Sequence, residues 1–475
     1  MGLKIPFKEH KESMEGLSGM KKYLWILFVL TPLAYGTGFD EGGGCTSGNY
    51  DSCSVEGWKS LAKKGDATAQ YNLGIMYLYG QGIAQDYVLA EKLIRKAAEQ
   101  KDASAQNGLG SMYHFGLGVT LDYVAAAKWY QKAADNGSAL AQYNLGFMYE
   151  NGQGIEKNYF KAESWYLRAA EQGSASAQVS LGIMYSEALG VTLDYGQSLK
   201  WFSYAADQGN ALAQYNLAIM YATGKGIKQD YSEAAKWYRR AASQELGLAQ
   251  FNLGLFYERG RGLEQDFSEA EKWYLKAAEQ GQVQAQVNLG LLYESGTGIK
   301  QDYKTAVKWY QKAVEHGDKV AQNLLGGMYF SGEGVKLDYV EAIRLYRKSA
   351  EQGGVEAQMR LATLYESGIA VKRDHDEAVK WYRQACTNNS TSLCIELKGL
   401  IEDETKEILV VVPANGAGLK EGMIITNKNM QIRKLKLTSL PGDYVTPERF
   451  SEIEGKAVNK NIEEGAAIGF SDVSP

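Results

Sequence analysis

The chain is poor in proline, cysteine and histidine, and it has no block of positive charge. Six prolines occur among 475 residues, and all six (Pro6, Pro32, Pro413, Pro441, Pro447 and Pro475) lie outside residues 66–389. The 324 residues between those limits therefore lack the residue that most strongly interrupts a helix. The four histidines, His10, His114, His316 and His375, share no spacing that pairs them with each other or with a cysteine. That argues against a zinc site and against histidine acid–base chemistry. The four cysteines form two pairs, Cys45 with Cys53 and Cys386 with Cys394, each eight residues apart. An even number in an exported chain points to disulfides, and this spacing without a neighbouring histidine does not suit a metal. Formal net charge is −5 with no lysine–arginine stripe, so the electrostatic footprint of a nucleic-acid binder is missing. Neither a Gly-x-Ser-x-Gly elbow nor a Gly-Lys-Ser/Thr phosphate loop occurs. The residues indicate no catalytic constellation and no cofactor.

What the chain does have is a repeat. The dipeptide Ala-Gln begins at Ala69, Ala105, Ala141, Ala177, Ala213, Ala249, Ala285, Ala321 and Ala357, with every step 36 residues and no insertion. A fixed period in that range marks a solenoid or array of supersecondary units. In the copy from Ser138 to Gly173, small or apolar residues at Ala141, Leu145, Met148 and Tyr149 fall at helical spacing. Gly152-Gln153-Gly154 then stops the helix. A second apolar stripe follows at Tyr159, Ala162, Trp165, Tyr166, Ala169 and Ala170, ending at Gly173. Asp230 with Glu233, Asp266 with Glu269, Asp338 with Glu341 and Asp374 with Glu377 carry the capping-box spacing. Each unit reads as a helix–turn–helix hairpin. The glycine after leucine (Gly146 and its equivalents) admits a close helix neighbour, and the tryptophan that becomes Leu93 and Leu345 reads as packing volume. The Gly-x-Gly turns follow helices, not strands, so they fail the context that a dinucleotide loop requires.

The pattern Ala-Gln-x-x-Leu-Gly-x-x-Tyr, then Gly-x-Gly, then Asp-Tyr-x-x-Ala-x-x-Trp-Tyr-x-x-Ala-Ala resembles the SEL-one-like repeat family, relatives of the tetratricopeptide solenoids. The resemblance implies a mostly α chain, an α/α solenoid superhelix that serves as a protein-binding scaffold, often in periplasmic or secreted bacterial proteins. It also implies that the first helices line the concave face. Two lines of variable positions would then form a groove for a partner segment. One is Tyr71, Asn107, Tyr143, Val179, Tyr215, Phe251, Val287, Asn323 and Met359. The other is Ile75, Ser111, Phe147, Ile183, Ile219, Leu255, Leu291, Gly327 and Thr363. Tyr143, Phe147, Tyr215, Phe251 and Leu255 are the candidate anchors, with Glu150, Asn151, Glu258, Arg259 and Glu294 as a polar rim. The competing reading buries these positions between repeats.

The ends differ from the rod. Residues 1–36 read as an N-terminal extension and signal peptide. Met20-Lys21-Lys22 gives a basic start, Tyr23 to Tyr35 an apolar run too short to span a membrane comfortably, and Ala34-Tyr35-Gly36 a small-residue cleavage site. This places the mature chain in the periplasm or outside the cell. An uncleaved anchor facing outward is the alternative, and lipid attachment at Cys45 lacks its preceding apolar residue. Residues 37–65 read as a linker and an N-terminal half-repeat cap, since Leu61-Ala62 are in phase with Ala97-Ala98. Residues 66–389 hold nine repeats, and 390–402 a fading cap helix. Cys386 occupies the place of Ala98 and Cys394 that of Gln106, facing positions on adjacent helices, and some cysteine-rich relatives carry a bridge there.

Residues 403–475 change character, beginning with a strand signal in Ile408-Leu409-Val410-Val411-Val412. Leu419, Gly422, Ile425, Met430, Pro447, Gly455, Lys456, Ile462, Gly465, Ile468, Asp472 and Val473 resemble the SAF domain, a small β-clip module of sialic acid synthases, antifreeze proteins and flagellar chaperones. In the synthases that module helps to bind a sugar, and the catalytic barrel is absent here. Three functions therefore compete. They are a non-catalytic exported scaffold for envelope or host proteins, a glycan or peptidoglycan binder acting through residues 403–475, and an enzyme. The first is the expectation.

Overall fold

The structure is a computed structural model. It describes residues 54–387, two strands at 407–413 and 430–436, and residues 452–454, 456–458 and 468. The chain divides into two compact units, residues 1–273 and 274–475.

The first unit opens with α1 (Val55–Lys63), the short helix of the half-repeat cap. There follow, as hairpin pairs, α2 (Ala67–Tyr79) with α3 (Tyr87–Glu99), α4 (Ala103–Phe115) with α5 (Tyr123–Asp135), and α6 (Ala139–Asn151) with α7 (Tyr159–Glu171). Next come α8 (Ala175–Glu187) with α9 (Tyr195–Asp207), and α10 (Ala211–Thr223) with α11 (Tyr231–Ser243). The unit ends with α12 (Gly247–Arg259) and the start of α13 (Phe267–Glu279). Every repeat helix is 13 residues long, so each copy presents the same faces to its neighbours.

Local chemistry sets these bounds. Asp66, Asp102, Ser138, Ser174 and Asn210 each accept a hydrogen bond from the backbone N–H three residues on, which starts the first helices. Gly152, in the left-handed region at φ 70°, ends α6 with its N–H bonded to the Met148 carbonyl. Asp230 caps α11 through the N–H groups of Ser232 and Glu233. The glutamates of the expected capping boxes do something else. Glu233 and Glu269 hold Lys236 and Lys272 one turn ahead, at 2.6 and 2.7 Å.

The core is a ladder of aromatic rings seated on glycines. Tyr130, Tyr166 and Phe202, each following the repeat's tryptophan, are buried completely or nearly so. A Cβ on Gly146 would lie 2.8 Å from the Tyr166 ring, and one on Gly182 would lie 2.5 Å from Phe202. Glycine is required there so that the ring can lie flat on the neighbouring helix. The tryptophans pack less uniformly, with Trp201 buried in the core. Trp129, Trp165 and Trp237 are only partly buried, and Lys132, Arg168 and Arg240 sit over their rings at 3.9, 4.6 and 4.4 Å. The fully buried volume of the repeat is thus the residue after the tryptophan position, tyrosine in most copies, Phe202 in one and Ile94 in another.

The Ala-Gln dipeptide also has a structural task. Gln106, Gln142, Gln178 and Gln214 are buried. Each donates from Nε2 to the carbonyl of Ala98, Ala134, Ala170 and Ala206 respectively, near the end of the preceding repeat's second helix. Each also accepts at Oε1 from an amide at the end of its own repeat's second helix: Asn136, Gln172, Gln208 and Gln244, at 2.7–2.8 Å. One side chain ties three helices together. Gln70 does the same to the Ala62 carbonyl, which makes α1 a true half repeat.

In the second unit the pairs continue as α14 (Val283–Ser295) with α15 (Tyr303–Glu315), α16 (Lys319–Ser331) with α17 (Tyr339–Glu351), and α18 (Val355–Ser367) with α19 (His375–Thr387). Tyr310 and Tyr346 fill the ring position over Gly290 and Gly326. Beyond the hairpins, β1 (Glu407–Pro413) pairs antiparallel with β2 (Met430–Lys436), Val410 opposite Arg433. The strand expected over 408–412 is therefore present. The expected cap helix over 390–402 lies outside the described residues, as do most of the residues that carry the SAF-like resemblance. Of the residues that carry that resemblance, Ile468 is described and buried.

Candidate functional site

The first-helix face of the first unit is where the fold leaves residues free to vary. Each first helix gives its alanine, glutamine, leucine, glycine and methionine to the core. The positions two and six residues after the alanine differ from copy to copy; Asn107, Ser111, Phe147, Val179, Ile183 and Tyr215 are buried, and the others in this unit are half-buried. Beneath this face the buried tyrosine hydroxyls of the core ladder take whichever polar partner the repeat supplies. Tyr130 meets Ser111 at 3.1 Å, and Tyr166 donates to Glu150 Oε2 at 2.7 Å. In the second unit, Tyr310 donates to Glu294 in the equivalent place.

The eight candidate partner-binding residues separate into two groups. Phe147 and Tyr215 are buried and belong to the core clusters of their repeats; Tyr215 lies tilted against Tyr238 with ring centroids 5.8 Å apart. Glu150 is also buried, inside the tyrosine cluster and not on a rim. The other five keep an accessible side. Tyr143, Phe251, Leu255 and Glu258 are half-buried, and Arg259 is exposed. Tyr143 lies against Tyr166 at 5.7 Å between centroids. Burial and the charge of Glu150 together push the Tyr143 and Tyr166 hydroxyls well above the ordinary phenol range, with Ser180 opposing. Both stay protonated near neutral pH, as hydrogen-bond donors. Burial likewise pushes the Tyr215 hydroxyl up to about 12, against a hydrogen bond with Asn252.

A second polar cluster underlies this face. Asn144 is fully buried and donates to Asn107 Oδ1 at 2.9 Å across adjacent repeats. His114 is buried among the rings of Phe115, Tyr123 and Tyr130, with the first two 4.9 Å away. Burial pushes its imidazole down to about 4. It occupies the position held by Leu78 and Glu150 in the flanking copies. His375 lies exposed at the start of α19 beside Glu366, at 2.7 Å, and His316 caps the end of α15. Among the described residues, no three His, Cys, Asp or Glu side chains converge on a point that could hold a metal. Also among them, no helix is long and apolar enough to cross a membrane. Cys386, half-buried on α19, is disulfide-bonded; Cys45, Cys53 and Cys394 lie outside the described residues.

The glutamine ladder and the tyrosine–glutamate pairs went unread in the sequence. The ladder's signal is the amide-bearing residue thirty positions after each Ala-Gln glutamine: Gln100, Asn136, Gln172, Gln208 and Gln244.

Comparison with known proteins agrees with this geometry. Among solved structures, the chain is similar to c5321, described as a protective antigen present in uropathogenic Escherichia coli strains and displaying an SLR fold. The identity is 31% and the TM-score 0.51, over 74% of this chain and 91% of that one. It is also similar to a Sel1 repeat protein from Oxalobacter formigenes, at 29% identity and a TM-score of 0.51, over 71% of this chain and 99% of that one. Among proteins with curated descriptions, none matches this chain. The model of the Sel1 repeat matches nine consecutive segments: 67–102, 103–138, 139–174, 175–210, 211–246, 247–282, 283–318, 319–354 and 355–390. With more than half its length in these segments, the chain belongs to the Sel1 repeat family.

Proposed function

We propose that this protein is a non-catalytic exported scaffold. In this reading it grips an extended or helical segment of an envelope or host protein on the first-helix face, with Tyr143, Phe251 and Leu255 as anchors. Glu258 and Arg259 form the polar edge of that contact. The observation that carries this reading is where variation is allowed. Across nine copies the core positions stay nearly constant, while the half-buried positions of this face change in size and polarity. Partly buried aromatic and aliphatic side chains are good anchors, because little order remains to be gained when a partner covers them. Export is supported by the basic, apolar and small-residue order of residues 20–36, by the disulfide at Cys386, and by the relative described as a protective antigen.

The partner of Cys386 in this reading is Cys394. The two occupy the positions that the Gln106–Ala98 hydrogen bond occupies, so a covalent link would stand where the ladder otherwise ends. Residues 403–475 are assigned to a SAF-like module attached to the rod. Glycan binding through that module is the second function to be tested, favoured only by its sequence resemblance.

The test is capture from an envelope extract by the chain beginning at residue 37. Tyr143→Ser, Phe251→Ser and Leu255→Ser together should reduce capture at least tenfold while the melting temperature changes by only a few degrees. Undiminished capture by the triple variant would refute the assignment of this face. Capture that survives in the variant and is competed by peptidoglycan fragments would favour the glycan reading.

A further inference from the structure

The glutamine ladder is uniform in the first unit and interrupted inside the second. From Gln70 to Gln214, each Ala-Gln glutamine donates to the carbonyl of the alanine eight residues before it, at 3.1–3.2 Å. Each accepts from the amide thirty residues after it, at 2.7–2.8 Å.

Two successive rungs depart from this pattern where repeat 283–318 meets repeat 319–354. Gln286 keeps its bond to the Ala278 carbonyl at 3.1 Å, but the residue thirty positions on is His316. The His316 side chain is exposed. Gln286 is only 3% exposed, and its Oε1 has no hydrogen-bond partner among the described residues. At the next rung, the residue eight positions before Gln322 is Val314 instead of alanine. Ala134, Ala170, Ala206 and Ala350 are buried at that position, whereas the bulkier valine is half-buried. Gln322 donates instead to the Gly317 carbonyl, at 3.3 Å. On the next residue of α16, Asn323 Oδ1 is also buried without a partner among the described residues.

The hairpins beyond this junction are tied in full. Ser349 Oγ donates to the Lys319 carbonyl at 2.7 Å, Gln352 to Gln322 Oε1 at 2.9 Å, and Gln358 to the Ala350 carbonyl at 2.9 Å. Across the junction, apolar packing remains: Ala313 clusters with Ala321, and Tyr310 with Leu325 and Met328. A buried acceptor without a donor weakens the closed arrangement, because water satisfies that acceptor once the contact opens. In a stack of repeats, stability is close to a sum of repeat and neighbour terms, so one weak neighbour term sets where the stack divides.

We propose that this junction is a break point built into the fold, at which the hairpins from residue 319 to 387 unfold together as one block while residues 283–318 stay folded. The block lies within the second unit, so the proposal stands apart from partner capture by α6 and α12.

The experiment is native-state hydrogen exchange of the full chain in low urea, read by mass spectrometry. The amides of α16, α17 and α18 should share one protection, about tenfold below that of α14 and α15. His316→Gln, an exposed change that restores the amide found at Gln172 and Gln208, should narrow that step by about fivefold. Gln352→His, the converse change one repeat on, should lower the protection of α18 relative to α17. Protection that falls smoothly from α14 to α18 would overturn the proposal. So would a step at residue 318 that His316→Gln leaves unchanged, or a Gln352→His variant in which α18 and α17 still exchange alike.

Discussion

At the scale of single residues, the repeat is held by side chains that satisfy buried backbone and each other. Gln178 is the clearest example, since its amide meets the Ala170 carbonyl and the Gln208 amide in a buried setting. Removing it loses two hydrogen bonds, each with a net worth of about 0.5–1.5 kcal/mol, while the Ala170 carbonyl keeps the Gly173 N–H and the Gln208 amide keeps the Tyr204 carbonyl. Gln178→Leu should lower the free energy of unfolding in urea by roughly 2 kcal/mol, with the slope unchanged. His114 gives a pH dependence of known sign. Its imidazole titrates at about 4 in the fold, below its ordinary 6.5. Between those values the unfolded chain binds the proton and the folded chain does not, so stability falls as pH drops from about 6.5 towards 4. The loss is on the order of 2 kcal/mol at the acid end. His114→Leu, which installs the residue found at Leu78, should flatten the pH profile of the melt over that window. Much at this scale was legible: the alanines, the glycine after leucine and the capping residues read directly from spacing. The roles of Gln178 and Glu150 were not, because a hydrogen bond between residues 30 or 16 apart leaves no local periodicity.

At the scale of the helix, identical length hides unequal support. Most first helices begin on a side chain that caps them, whereas α12 and α14 begin on Leu246 and Gln282 with no side-chain cap bond. Gln282→Asp places a carboxylate where Asp102 caps α4, and such a cap stabilises by about 1 kcal/mol. We expect the melting temperature to rise by a few degrees, read by circular dichroism. The helices and turns were legible because each boundary is a local event: a capping oxygen at one end, a left-handed glycine at the other. The second glycine of the turn was read only as a stop. Its further role, admitting the backbone of Tyr123 or Tyr87 from the neighbouring repeat, is a tertiary contact that no window of sequence contains.

At the scale of the molecule, stacked repeats give a stability that is close to a sum of neighbour terms, so the ends are the weakest places. The last described helix, α19, has its disulfide at Cys386. Cys386→Ser should speed amide hydrogen exchange in residues 375–387 by tenfold or more and leave α6 and α9 unchanged. The number of repeats and their hairpin architecture were legible from the 36-residue period alone. The division into two compact units was not, because the period runs through residue 273 without a break. The binding face was legible only as two lines of variable positions. Packing then divides those lines, taking Phe147 and Tyr215 into the core and leaving Tyr143, Phe251 and Leu255 accessible. The most direct measurement is hydrogen exchange of the mature chain with and without its captured partner. Protection concentrated in residues 139–151 and 247–259 is the predicted result. Protection confined to residues 403–475, with the first helices unchanged, would contradict it.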